Sequence, residues 1–202
     1  MVASAPQSLV GSLDVRLPST AAGVPHRVQK IFSPRGGSSY NATVRTRIIR
    51  FNLTSEDCLD GESCPLQFDV RNITNEIMHF TTLVPSCLLS RLLVRGGDGT
   101  IEYVVAYGRC CHMMLQLSNP HAAADLQSEG FGEGQIPANG IRTVSLKLMS
   151  GLLNQGKMLP LRMMSSLSLE LTLADPSEWL HTGSTRSTDY NIETASGESN
   201  HP

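Results

Sequence analysis

The sequence predicts an all-β protein: an antiparallel β-sandwich built as a single jelly roll of about eight strands, with one short inserted helix. The main evidence is the strict alternation of apolar and polar residues at 143–148 and 167–173. A period of two places alternate side chains on opposite faces of a strand, one in the core and one in solvent. The composition agrees, because only 17% of the 202 residues are charged and Ser, Thr, Gly and Val are frequent.

The same alternation predicts the strands of the first half of the chain. In the clearest of them, Ile49, Phe51 and Leu53 share one face, while Arg50 and Asn52 point the other way. Glycine, proline and acidic residues mark the turns between strands. The predicted strands are residues 28–32, 45–53, 66–71 and the less regular 77–84, which Pro85 ends, with turns at 33–39 and 56–62.

A β-hairpin is predicted next. Two apolar runs, 88–95 and 101–105, flank the turn sequence GGDGT at 96–100, and glycine with aspartate favours a tight turn. The alternative for this turn is a phosphate- or calcium-binding loop. A phosphate loop needs a lysine after the glycines, and an EF-hand needs more carboxylates at fixed offsets, so turn chemistry alone accounts for the sequence.

The period changes to that of a helix at residues 106–117. This helix is expected to cap one end of the sandwich, and the Met113–Met114 pair is interpreted as core filler rather than as a ligand set. The residues at helical spacing are Tyr107, Cys110, Met114 and Leu117, with Cys111 and Leu115 beside them.

The remaining segments complete the predicted domain. Residues 118–140 are a long loop, and the apolar residues 151–161 form a structured crossing loop over one end of the sandwich. Asp175-Pro176-Ser177-Glu178 has the cap residue and first-position proline of a helix start. The predicted organisation is a flexible N-terminal arm at 1–24, a jelly-roll domain at 25–180 and a flexible tail at 181–202.

Composition argues against several functional classes. A formal net charge of −2 offers no basic surface for a phosphate backbone, so we expect no direct nucleic-acid binding. No apolar run approaches the length of a membrane span, and no signal peptide is visible, so we expect an intracellular protein. There is no nucleophile elbow, HExxH motif or paired acidic motif. We therefore predict no catalytic, cofactor-binding or metal-binding residues and no cofactor.

The cysteines are expected to be buried, reduced thiols, because an odd number without a CxxC pair makes a poor disulfide framework and a poor zinc site. The N-x-[ST] triplets at Asn41, Asn52 and Asn72 are interpreted as chance matches, since two of them lie within or at the end of predicted strands. The five cysteines are Cys58, Cys64, Cys87, Cys110 and Cys111.

A set of short motifs spreads from about residue 28 to residue 175. They are Phe32-Ser33-Pro34 with 36–40 (GGSSY), 48–53 (IIRFNL), 92–102 (LLVRGGDGTIE), Tyr107 with 112–115 (HMML), 150–154 (SGLLN), 157–162 (KMLPLR) and 167–174 (LSLELTLA). In order and spacing this set resembles the N-terminal jelly roll of the double jelly-roll major capsid proteins of Polinton-like viruses and related elements.

The resemblance implies a structural viral capsid-type protein that self-associates into trimeric capsomers, with other capsid proteins as partners and the virion as its location. Such a protein continues into a second jelly roll, and residues 187–193 (STDYNIE) resemble its start. We therefore expect only the first barrel here, in a truncated or degenerate endogenous copy. A lone barrel is expected to expose Leu88, Leu89 and the Leu152-Leu153 loop, where the missing barrel would pack.

Two other classes of function stay open as alternatives. A β-sandwich binding module, for example for carbohydrate, would need exposed aromatic side chains along a groove, and Trp179 is the single tryptophan. An enzyme has no motif in its favour and would need a pocket with paired ionisable groups.

Overall fold

The computed structural model describes residues 28–43, 47–82, 85–97, 99–118, 134–164, 166–182, 185–186 and 190–201. Within these ranges the helices are α1 (Tyr107–Ser118) and α2 (Pro176–Trp179), with short 3-10 helices at Gly61–Ser63 and Pro85–Leu88. The strands are β1 (Val28–Phe32), β2 (Ser39–Asn41), β3 (Ile48–Leu53), β4 (Cys58–Asp60), β5 (Pro65–Arg71), β6 (Met78–Phe80), β7 (Leu89–Gly96), β8 (Gly99–Val105), β9 (Gln135–Ile136), β10 (Ile141–Lys147), β11 (Met158–Pro160), β12 (Leu167–Leu173), β13 (Leu180–Thr182), β14 (Thr185–Arg186) and β15 (Asn191–His201).

Eight of the described strands form the main paths of two antiparallel sheets, and β2 pairs with β15 as a ninth. The first sheet has the order β1-β15-β5-β10, and the second has the order β3-β12-β7-β8. Along the chain these eight strands alternate between the two sheets, except that β7 and β8 form a hairpin within the second. Side chains from both sheets meet in one buried cluster. This winding of two Greek keys is the jelly-roll topology, so the predicted fold class is confirmed.

β12 shows how the sequence specifies this packing. Its four leucines, at 167, 169, 171 and 173, are all buried, as their alternation predicts. On the opposite face Ser168 and Thr172 are half-buried, but Glu170 is only 8% exposed. Glu170 lies opposite Arg50 of β3, and its Oε1 is 3.3 Å from Arg50 Nε. The ion pair allows a carboxylate on the outer face to be covered by its neighbours.

The end of the chain differs from its expected form. Instead of a loose tail at 181–202, or the first strand of a second barrel, the structure has β15 inserted between β1 and β5. Tyr190 and Ile192 are buried in the core, and Arg71 donates to both carboxylate oxygens of Glu193 at 2.8 and 3.0 Å. β15 is thus the eighth strand of the same jelly roll. The predicted arm at 1–24 lies outside the described residues.

Small sheets account for most of the other elements that the sequence does not indicate. β4 pairs with β11 inside the predicted acidic turn and crossing loop, and β9, β13 and β14 form a second small sheet with β6, which lies within the predicted strand 77–84. Strands of two or three residues are too short to show a period. The crossing loop is nevertheless structured as expected, because Leu153, Leu159 and Leu161 are buried.

Helix α1 is confirmed, but the interpretation of its apolar face is wrong. Tyr107 and Cys111 are buried, whereas Met113 and Met114 are exposed and cannot fill the core. The reason lies at Gly108, where an added Cβ would lie 2.8 Å from Cys87 Cα. The helix packs through this glycine, so its buried face is centred on the first turn. Leu117, which is 84% exposed, points away from the core.

All five cysteines lie in the described ranges, and none of them forms a disulfide bond there. Cys64, Cys87 and Cys111 are buried, as expected, and burial raises the pKa of each thiol, to about 11 for Cys64. Thiols held in the protonated form are poor nucleophiles and poor metal ligands. The expectation of burial is wrong for Cys58, which is exposed, and for Cys110, which is partly exposed.

Candidate interaction surface

The outward side of β8 carries a row of exposed apolar side chains. Tyr103 is 56% exposed and Val105 is 57% exposed, and Ile101 is similar. Between them Glu102 and Val104 point inward, and Val104 packs against the core. A strand normally turns its apolar face inward and its polar face to water. β8 instead carries three exposed apolar side chains on its outward face, so Ile101, Tyr103 and Val105, which we call the β8 strip, form a candidate contact surface.

Apart from the buried Leu93 and the half-buried Ile48, the rest of the outer face of the second sheet is polar. The pairing register places Leu93 of β7 next to Tyr103, and Glu170 of β12 lies beyond it, next to Arg50 of β3. In the neighbouring row, Arg91 of β7 lies between Val105 and Thr172. The β8 strip is therefore an apolar border along one edge of a face whose centre is charged and hydrogen-bonded.

Glu102 holds the back of this strand to the crossing loop. Its carboxylate accepts hydrogen bonds from Ser150 Oγ at 2.6 Å, from Gly151 N at 2.9 Å and from Leu152 N at 3.4 Å. The buried Tyr107 adds a second tie, because its hydroxyl accepts from Met149 N at 2.7 Å. Three donors to one ionised carboxylate form a strong local bond set. These bonds fix the orientation of β8, which turns Ile101, Tyr103 and Val105 outward.

Replacement of Glu102 tests this tie. We expect Glu102→Gln to lower the free energy of unfolding by about 1–3 kcal/mol, because an uncharged amide with one acceptor oxygen replaces a charge-assisted bond set. Chemical denaturation measures the change. The control is Glu76→Gln, since Glu76 has an exposed side chain and its replacement is expected to cost less than about 0.5 kcal/mol. Equal values for the two variants would contradict the assigned role.

The residues expected to be exposed in a lone barrel lie elsewhere. Leu88, Leu89 and Leu153 are each at most 3% exposed, and Leu152 is half-buried against the core. That expectation is wrong, because the leucines belong to the 3-10 helix, to β7 and to the crossing loop, all of which close the barrel. The sequence does contain a signal for the β8 strip. Ile101, Tyr103 and Val105 stand at every second position, and Val104 between the last two is also apolar.

The described residues offer little for catalysis. Among the histidines in the described ranges, His79 and His181 lie together, with their ring centroids 5.3 Å apart. Within the described ranges no three His, Cys, Asp or Glu side chains are placed to hold a metal ion. An open depression of about 230 Å³ is lined in part by Trp179, Arg109 and Glu178, and the last two form an ion pair at 3.3 Å. In the part of the chain that the structure describes, no helix is long and apolar enough to cross a membrane.

No protein-family profile matches the sequence, and no curated protein matches it significantly. Solved structures do match. The chain is similar to VP54 of the virus PBCV-1, with a TM-score of 0.61 at 12% identity over 91% of this chain and 44% of that one. A chain of the PBCV-1 capsid gives the same values. A chain of the Sputnik virophage gives a TM-score of 0.52 at 10% identity, over 94% of this chain and 50% of that one.

These neighbours are double jelly-roll major capsid proteins. The present chain spans about half the length of each of them. At such low identity the similarity establishes the fold, and it agrees with the resemblance found in the sequence. The chain therefore has the jelly-roll fold of viral major capsid proteins, over a length that corresponds to about one of their two barrels.

Proposed function

We propose that this chain is a structural capsid-type protein that associates with copies of itself, and with other capsid proteins, to build the shell of a virion. The observation that carries the proposal is the β8 strip, an exposed apolar border on a jelly roll shared with viral capsid proteins. In a capsid subunit the fold supplies a rigid block, and its exposed surfaces supply the contacts. The finer assembly, a trimeric capsomer, belongs to this proposal.

The other parts of the proposal concern the setting of the protein. We infer the virion as its location, a Polinton-like virus or an endogenous copy of one as its source, and no direct binding to nucleic acid, since the net charge is −2. We also propose that residues 1–24 form an arm outside the folded unit, which begins near residue 25 and includes β15. A gene for a packaging ATPase beside this one would support the viral source.

Sedimentation velocity combined with negative-stain electron microscopy tests the proposed function. The full chain of 21.9 kDa is expected to form discrete oligomers as the concentration rises into the range of milligrams per millilitre, with compact ring-like or triangular particles in the images. A chain that sediments as a single monomer at every concentration, alone and mixed with other capsid proteins, would contradict the proposal. Sub-micromolar binding to a glycan array would instead favour the binding module.

A further inference from the structure

We propose that a second copy of this chain docks on the edge of β8, so that the two β8 strands pair antiparallel about a twofold axis at Tyr103. The two second sheets would then join into one continuous sheet. This inference rests on the proposed function and deepens it, because it names the partner and the contact through which two copies associate. Its support comes from the open edge of β8, from the absence of lysine, arginine and proline on this strand and from the pattern of its side chains.

β8 is the last strand of the second sheet. Within the described ranges it pairs only with β7, so one row of its backbone N–H and C=O groups has no strand beside it. The pairing with β7 shifts register between Val94 and Arg95, where Ile101 has no partner on β7, so residues 102–105 are the regular part of the edge. An open, regular and apolar edge is a template for an additional strand.

The other edge strands of the two sheets carry features that oppose such pairing. On β3 the backbone oxygen of Arg50 already accepts a hydrogen bond from Arg35 N at 2.7 Å. Arg142 and Lys147 lie on β10, and Lys30 lies on β1. Positive charge and local covering are two of the features that protect an edge. β8 contains no lysine, arginine or proline, and its one charged residue, Glu102, is bound on the inner side by the crossing loop.

The side chains of β8 are complementary to themselves. In an antiparallel pair centred on Tyr103, the two tyrosines lie opposite each other, and Ile101 of each copy lies opposite Val105 of the other. Pairs of aromatic and of β-branched residues are favourable across strands, whereas like charges are unfavourable. Glu102 would face Val104, so no two carboxylates meet. On the outward face all three cross-strand pairs are therefore apolar. Because the strand matches itself in this way, a second copy is favoured over an unrelated partner.

Cysteine cross-linking tests the axis. In a Cys58→Ser, Cys110→Ser background, which removes the exposed and the partly exposed native thiols, Tyr103→Cys places two thiols opposite each other at a separation that a disulfide can span. We expect mild oxidation to give a dimer as the main product. The matched control is Lys147→Cys, on the exposed edge of the other sheet, which is expected to stay mostly monomeric. Equal cross-linking of the two variants, or cross-linking only after other capsid proteins are added, would overturn the proposal.

A charged residue on the strip gives an independent readout. Tyr103→Lys is expected to shift the association midpoint at least tenfold to higher concentration in sedimentation velocity, whereas Tyr103→Phe stays near the wild type. Melting curves should be similar, because the side chain is already half in solvent. If wild type and Tyr103→Lys form the same oligomers, the contact lies elsewhere, and the inference fails while the proposed function stands. If the wild type never associates, both fail.

Discussion

Removal of residues 190–202 is expected to abolish cooperative folding. β15 pairs with β1 on one side and with β5 on the other, so its loss separates β1 from the sheet and exposes the edge of β5. Tyr190 and Ile192, both at most 1% exposed, leave the core at the same time. The lost burial is comparable to the whole stability of a domain, about 5–15 kcal/mol. Far-ultraviolet circular dichroism and thermal unfolding measure the result.

A point substitution tests the same claim in a chain that still folds. Ile192→Ala is expected to cost about 2–5 kcal/mol, the range for truncation of a buried aliphatic side chain. Met163→Ala, at a residue that is 83% exposed, is the control and should change stability by less than about 0.5 kcal/mol. If the truncated chain unfolded with the same midpoint as the full chain, or if Ile192→Ala were neutral, β15 would not be part of the barrel.

Asn72→Ala is expected to have the second-largest effect, a loss of about 2–5 kcal/mol. Asn72 is completely buried at the end of β5. Its Nδ2 donates to Glu76 O at 2.8 Å and to Pro137 O at 3.0 Å, while its Oδ1 accepts from Thr74 N at 2.9 Å. Alanine would leave these backbone groups unsatisfied, at about 1–3 kcal/mol each. Urea denaturation measures the loss.

Asn52 provides a matched control, because it occupies the same N-x-T sequence pattern but is half-buried on the outer face of β3. Asn52→Ala is expected to cost less than about 1 kcal/mol. A second variant, Asn72→Asp, keeps the acceptor but turns a carboxylate oxygen toward two carbonyl groups, and should be about as destabilising as alanine. Equal effects at positions 72 and 52 would contradict the role assigned to Asn72.

Strands β3, β5, β10 and β12 could be predicted from the sequence because apolar and polar residues alternate over about six residues in each. In β12 four leucines at every second position specify a buried face, and the hairpin of β7 and β8 has glycines at its turn. A regular period over this length leaves one arrangement that buries every apolar side chain. The helix start at Asp175 could be predicted from residue types alone, a cap residue followed by proline, and the Asp175 carboxylate accepts from Ser177 N at 2.9 Å.

β15 could not be predicted in this way, because its sequence is polar and only Tyr190 and Ile192 mark its start. It forms because β1 and β5 offer hydrogen-bonding edges on both sides, a condition set by the rest of the fold. The buried face of α1 was missed for a similar reason. Gly108 allows α1 to pack closely because it has no side chain. A pattern of hydrophobic residues does not reveal a contact that is made by a glycine.

The candidate surface shows the limit of reasoning from hydrophobic pattern alone. An apolar residue at a core position and one at a contact between copies look the same in a sequence, so Leu88 and Leu89 were assigned to the surface and Met113 to the core. Tyr103 could be recognised as exposed only after the register fixed Val104 as the inward neighbour. The pairing of the strands in the structure, and not the composition, distinguishes an apolar side chain of the core from one at a contact between copies.

Amide hydrogen exchange of the full chain at low and at high protein concentration tests the central claim most directly, since it reports on the closed barrel and on the contact together. We predict that peptides from β15 exchange slowly at both concentrations, and that the peptide covering residues 99–105 slows only at high concentration, while β10 is unchanged. Rapid exchange of β15, or identical exchange of β8 at the two concentrations, would contradict the account.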